Sequence, residues 1–217
     1  VGVLLFQALL GMWTVTLQLL PVVVMGHLLG GMTITSLLVL IRLYWSDITP
    51  VNTKKYKRFA RLGLFVVILQ IALGGWVSAN YAGLACLGFP TCNQQLWPKL
   101  DMLRAFDVMS PIGANYQGGL LDLTARVTIQ WVHRVWAVVT GAYVVGLMGV
   151  ACAVFQNKAL KRLAVTAMVV VCAQLMLGVM NVVYMLPLSV AVLHNGMALI
   201  LLLCMVCFCY GVSGRKI

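Results

Sequence analysis

Residues 174–194 read QLMLGVMNVVYMLPLSVAVLH, and residues 7–27 read QALLGMWTVTLQLLPVVVMGH. Each copy opens on a Gln (Gln174, Gln7), has a Gly four residues on (Gly178, Gly11), continues as an apolar run of helix length, and passes a Pro to close on a His (His194, His27). The Gln-to-His separation is the same in both, while Pro187 and Pro21 stand one residue out of register. A helical hairpin that occurs twice with one His in each copy implies a pseudo-symmetric protein with a ligand site in each half.

The composition agrees with such a fold. At 63% hydrophobic and 9% charged residues over 217 positions, too few polar side chains exist to cover a soluble surface, and an integral membrane protein is expected. Crossing a ~30 Å hydrocarbon core takes about 20 helical residues. Six apolar runs are read as long enough to cross, near residues 1–19, 22–43, 62–79, 128–150, 163–183 and 188–210. The net charge of +11 does not point to nucleic acid, because the basic residues cluster beside the spans. Lys54, Lys55, Lys57, Arg58 and Arg61, then Lys158, Lys161 and Arg162, then Arg215 and Lys216 flank three of them. Basic loops stay on the cytoplasmic side, so loops 44–61 and 151–162 and the C-terminal residues are expected there. Loop 80–127, where Lys99, Arg104 and Arg126 are offset by Asp101, Asp107 and Asp122, falls outside.

Gln70 followed by Gly74 and Gly75 echoes the Gln and Gly of the repeat. A Gln within the bilayer needs a partner, so three echoes imply hydrogen bonds between helices. In the outer loop Cys86 and Cys92 stand six apart in ACLGFPTCN, and outside a membrane such a pair oxidises to a disulfide. That loop has no His and offers no metal site. Cys152, Cys172, Cys204, Cys207 and Cys209 read as small packing residues within helices.

The third histidine, His133, lies in IQWVHRVWA. All three histidines are expected on helices running from outside to inside, at one depth, about a turn and a half from the outer surface. Intramembrane histidines are functional by default, and imidazole suits Zn, Cu or haem iron. The chain contains no Glu, and its four acidic residues are all Asp in loops or at borders, which argues against a carboxylate-bridged metal. Facing histidines amid Gly, Leu, Val and Met suit a planar macrocycle held between helices, with His133 and His194 as the axial pair. Arg134 and Arg126 suit the propionates of such a group.

With these residues in place the chain resembles the haem A synthase family. The resemblance rests on LLGMWTV and GHLLGG in the first hairpin, AC-x-x-FP-x-CN and WP in the outer loop, and NYQGGLLD from Asn115 followed by ARV. The WVHR segment and the final LHNGMALILLL complete it, so that it covers nearly the whole chain. It implies an all-α membrane protein of two four-helix halves, six transmembrane helices of which lie here. These make a C-terminal bundle (62–217), a cytoplasmic linker (44–61) and the last two helices of a catalytic N-terminal half (1–43).

The implied activity is oxidation of a methyl group of haem O to the formyl of haem A, for cytochrome oxidase, in a bacterial plasma membrane, with haem O synthase and the oxidase assembly machinery as partners. His133 and His194 match ligands of a haem b cofactor, and His27 matches one of two catalytic histidines. The other catalytic histidine and a Glu have no counterpart. Gln130-x-x-His133 stands where the catalytic half has Glu-x-x-His, which implies binding rather than catalysis. The apolar start at Val1 reads as an N-terminal truncation, and these 217 residues alone are not expected to make haem A. Two other readings share the paired histidines: a dihaem electron-transfer cytochrome b, and a haem exporter or chaperone.

Overall fold

The computed structural model describes residues 1–46, 50, 51, 53–108 and 121–214. Residues 115–120 of the NYQGGLLD run, and Arg215 and Lys216, lie outside the described residues. The helices are α1 Gly2–Thr16, α2 Pro21–Tyr44, α3 Lys54–Ala79, α4 Met102–Ala105, α5 Leu123–Val154, α6 Lys158–Val183 and α7 Leu188–Gly211. Among the described residues the only β pairing is an isolated bridge between Cys92 and Gln95. The all-α class therefore holds. Among the described residues five helices, α2, α3, α5, α6 and α7, are long and apolar enough to cross a membrane. The apolar α1 has 15 residues, and the chain leaves it at Leu17 to make a turn.

That turn explains the misplaced prolines. Gln18 and Leu19 (φ 52° and 58°) between α1 and α2 correspond to Met185 and Leu186 (both 58°) between α6 and α7. Leu19 N donates to Thr14 O at 2.8 Å and Leu186 N to Asn181 O at 2.7 Å. Each closes over a carbonyl that the helix end would leave open. The two hairpins thus match residue for residue, with nothing inserted. Pro21 is the first helical residue of α2, whereas Pro187 is the N-cap of α7. The first N–H groups of a helix have no partner within it, so a residue lacking one is accepted at either position.

Helices α3, α5, α6 and α7 close into a ring: α3 packs on α5 and α7, and α6 packs on the same two. Helices α5 and α7 therefore stand at opposite corners. Outside the ring α2 lies against α3 and α7, and α1 packs on α2. All four ring helices supply the core, through Val67, Val144, Met148, Val171, Met205 and Phe208. Val138, Val169 and Val192 are exposed on the outer faces, where hydrocarbon would surround them.

Side-chain caps set the helix starts. Asn157 Oδ1 accepts from Ala159 N at 2.9 Å and Leu160 N at 3.1 Å. Asp122 Oδ1 accepts from Ala125 N at 2.8 Å, so α5 begins at Leu123, well before the expected 128. His133 consequently lies about 15 Å along its helix, against about 9 Å for His27 and His194. Measured from their helix starts, the three histidines do not share one depth.

Candidate functional site

Each histidine is met by the Gln and the Gly of a neighbouring helix. Gln7 Nε2 on α1 lies 2.9 Å from His27 Nδ1 on α2 and donates to His27 O at 2.6 Å. Gln70 Nε2 on α3 lies 3.2 Å from His133 Nδ1 and 3.5 Å from its Nε2, and donates to His133 O at 3.3 Å. Gln174 Nε2 on α6 lies 3.4 Å from His194 Nε2. One helical turn beyond each Gln is the glycine. A methyl group added at Gly11, Gly74 or Gly178 would come to 3.0, 3.1 or 3.3 Å of the Cε1 of His27, His133 or His194. The absence of a Cβ lets each imidazole come this close to the neighbouring helix without displacement.

The chain thus holds three copies of one unit, a helix with Gln-x-x-x-Gly and the helix with the His it faces. In the third, α3 and α5, the outer loop separates partners that a short turn joins in the other two. All three imidazoles, and the Gln side chains against them, are partly buried. His133 and His194 sit on the opposite corners of the ring, and His27 sits beside the ring on α2. The interhelical hydrogen bonds expected of the three Gln are present; that each would go to a His was missed. The signal was available, since three Gln-x-x-x-Gly segments each precede one of three histidines.

The outer loop is fastened to α5 next to His133. Cys86 and Cys92 are bonded (S–S 2.02 Å), both sulfurs belonging to fully buried residues. Gln130 Oε1 accepts from Cys86 N at 3.0 Å, and its Nε2 donates to Gly83 O at 2.7 Å. Arg134 Nη1 donates to Gly88 O at 2.9 Å and Thr91 O at 3.2 Å, and Nη2 donates to Cys86 O. One turn apart on α5, the two side chains clamp the disulfide loop. Sequence reading gave Arg134 to the propionates of a bound group; here its guanidinium reaches loop backbone, as does Gln130. Arg126 and Arg134 each keep a buried Nε without a partner. Among the described residues no group of three or more His, Cys, Asp or Glu could hold a metal ion.

Fold and site together define an all-helical, multi-pass membrane protein whose histidines are presented singly on paired helices. The chain belongs to the cytochrome oxidase assembly protein family, COX15-CtaA, whose profile matches residues 1–206. It is 41% identical over 214 residues to the haem A synthase of Shewanella oneidensis, covering 95% of this chain and 63% of that protein. It is 29% identical over 210 residues to the haem A synthase of Allorhizobium ampelinum (91% and 53% covered). With that of Mesorhizobium japonicum the identity is 27% over 217 residues (93% and 55% covered). The chain thus spans between about half and two thirds of the length of these relatives.

The comparisons overturn one expectation, haem b as a bound cofactor. The relatives are named for haem A, and the kinship supports handling of that series rather than a resident haem b. The histidines had no means to distinguish them: an imidazole binds the iron, which these haems share, while they differ at the ring periphery.

Proposed function

We propose that the whole protein of which this chain is part is an oxidoreductase that converts a methyl group of haem O into the formyl group of haem A. His27, His133 and His194 are its ligands to haem iron. The observation that carries this is the threefold Gln, Gly and His unit in a chain of this family, supported by kinship with proteins named haem A synthases. Residues 62–217 form the second half, residues 1–43 belong to the catalytic half, and 44–61 are a cytoplasmic linker. Membrane lipid surrounds both halves. The basic residues of 54–61 and 158–162 favour the cytoplasmic side, and the disulfide loop favours the outside.

The residues present fit a haem on their own chemistry. The Nδ1 of His194 is buried without a partner, as are the Oε1 atoms of Gln7, Gln70 and Gln174, which is unmet hydrogen-bonding and ligating capacity in the three units. When bound, haem supplies an iron centre for redox chemistry and, as haem O, the methyl group to be oxidised. The protein's part is to bind and orient. The glycines admit the imidazole close to the neighbouring helix, the Gln carboxamides hold it, and the buried, unpartnered Nε groups of Arg126 and Arg134 are donors that a propionate would take. The disulfide cap on α5 shields the outer end of the site from water.

The test is expression of the full-length protein in a bacterium that lacks its own haem A synthase and makes haem O, with extracted haems separated by chromatography. His27→Ala, His133→Ala and His194→Ala should each lower the formyl product at least about tenfold, in keeping with loss of a positioned ligand. Wild-type yield from all three variants would refute the assignment.

A further inference from the structure

We propose that the uncharged stretch from Gly83 to Pro98, with the Cys86–Cys92 disulfide at its centre, is a wedge set into the lipid of the outer leaflet, on the orientation given above. Leu87, Phe89, Leu96 and Trp97 are its lipid-contacting residues. The inference stands apart from the haem reading and adds an interaction surface whose partner is the bilayer.

The level of this stretch follows from what holds it. Gln70, whose Nε2 lies 3.2 Å from His133 Nδ1, is nine residues before the outer end of α3 at Ala79, which puts His133 about 14 Å inside that end. Arg134 is the next residue, and its guanidinium bonds to Cys86 O, Gly88 O and Thr91 O. Side chains on a helix point back toward its N-terminus, here outward, but an arginine does not reach over the whole of that distance. The disulfide loop therefore folds down beside α5, below the outer ends of the spans. It comes down over a lipid-facing stripe of that helix. Trp97 packs edge-on against Trp131 at 5.9 Å between ring centroids, and Val135 and Val138, one and two turns further along, are 43% and 68% exposed.

The loop is also built as hydrocarbon requires and water does not. No charged residue occurs from Leu62 to Pro98, and Leu87 is 44%, Phe89 55%, Leu96 71% and Trp97 74% exposed. Non-helical backbone at membrane depth is tolerated only where the protein satisfies its polar groups, and here they turn inward. Beside the three carbonyls held by Arg134, Gln130 takes Cys86 N and Gly83 O. Asn93 Oδ1 accepts from Leu87 N at 3.0 Å, its Nδ2 donates to Ala85 O at 3.0 Å, and its backbone N donates to Leu87 O at 2.8 Å. Cys92 and Gln95 exchange both backbone bonds, at 2.8 and 3.0 Å. A loop standing in water has no need of this closure, since water meets its N–H and C=O groups, and four exposed apolar side chains would be a liability there. At the border of a bilayer the same side chains are favoured, Trp above all, because its ring lies among the headgroups. The charged part of the outer loop, with Lys99, Asp101 and Arg104, begins where the wedge ends.

The experiment uses the full-length protein in vesicles of phosphatidylcholine and phosphatidylglycerol. Phe89 is replaced by acetylphenylalanine carrying a ketone-linked nitroxide, so that no cysteine is touched. Electron paramagnetic resonance then reads relaxation of the label by oxygen, which concentrates in lipid, and by a nickel chelate, which stays in water. Oxygen should act several-fold more strongly than the chelate at residue 89. A chelate effect equal to or above that of oxygen overturns the proposal, and so does a label reached by neither, which would mean that protein covers the loop. Should the labelled chain not accumulate, Trp97→Phe decides: it should remove emission that brominated lipid quenches and aqueous iodide does not. Loss of emission that iodide quenches, or that neither reagent reaches, overturns the proposal.

Discussion

Arg134 illustrates how much one side chain carries. Its guanidinium reaches three carbonyls of the disulfide loop, those of Cys86, Gly88 and Thr91, from the position next to His133. Hydrogen bonds from a charged donor contribute about 1.5–3 kcal/mol each, and partial exposure reduces what they yield here. Arg134→Ala should therefore lower stability by roughly 2 to 4 kcal/mol, seen as a drop in the thermal unfolding midpoint in detergent. Arg134→Lys should recover less than half of that loss, because a single ammonium cannot fork to three acceptors. Full recovery by Lys would show that the charge matters and the fork does not. By contrast the exposed pair Arg104 and Asp122, at 2.9 Å, contributes little, since water screens it. At this scale the sequence showed which residue types were costly in a bilayer, while the partner of each was invisible until helices were placed.

Among the elements, the two short hairpins are the most closely related parts of the chain. Both turns put two consecutive residues other than Gly into the left-handed region, Gln18 and Leu19 in one, Met185 and Leu186 in the other. A Cβ in that region costs roughly 1–2 kcal/mol per residue. Met185 is 56% exposed and so gives up little packing. Met185→Gly is expected to raise stability by about 1 kcal/mol, less what the unfolded chain gains in freedom, and thermal unfolding of the variant checks it. A lower midpoint would mean that the Met side chain is held by contacts worth more than the strain. The same substitution at Leu186 is predicted to be worse, because its Cδ1 is the atom that a Cβ on Gly83 would meet at 2.8 Å, a sign of close packing. The Gln-to-His spacing of the hairpins was legible because both helices are continuous and the turns have equal length. The exchange of proline between first helical residue and N-cap was not, because sequence alone does not say which residue ends a helix.

For the whole molecule, the proposed orientation rests on charge. Single Cys substituted at Thr53, in the basic segment, should react with a membrane-impermeant maleimide only after the cells are opened. Cys at Leu103, 91% exposed in the outer loop, should react in intact cells. The reverse labelling would overturn the topology.

Periodicity and composition by themselves determined that the chain is all-helical and membrane-bound, that one hairpin is repeated, and that a third Gln and Gly echo it. They did so because a bilayer tolerates few structures and makes every buried polar residue conspicuous. Two matters were decided only by tertiary structure. Asp122 caps α5 early and shifts His133 along its helix. The ring brings Gln70 of α3 to His133 of α5 across the whole outer loop. Each depends on where helices end and which helices touch. Those are set by capping hydrogen bonds and by side-chain packing between segments distant in the chain, which spacing within one segment does not encode.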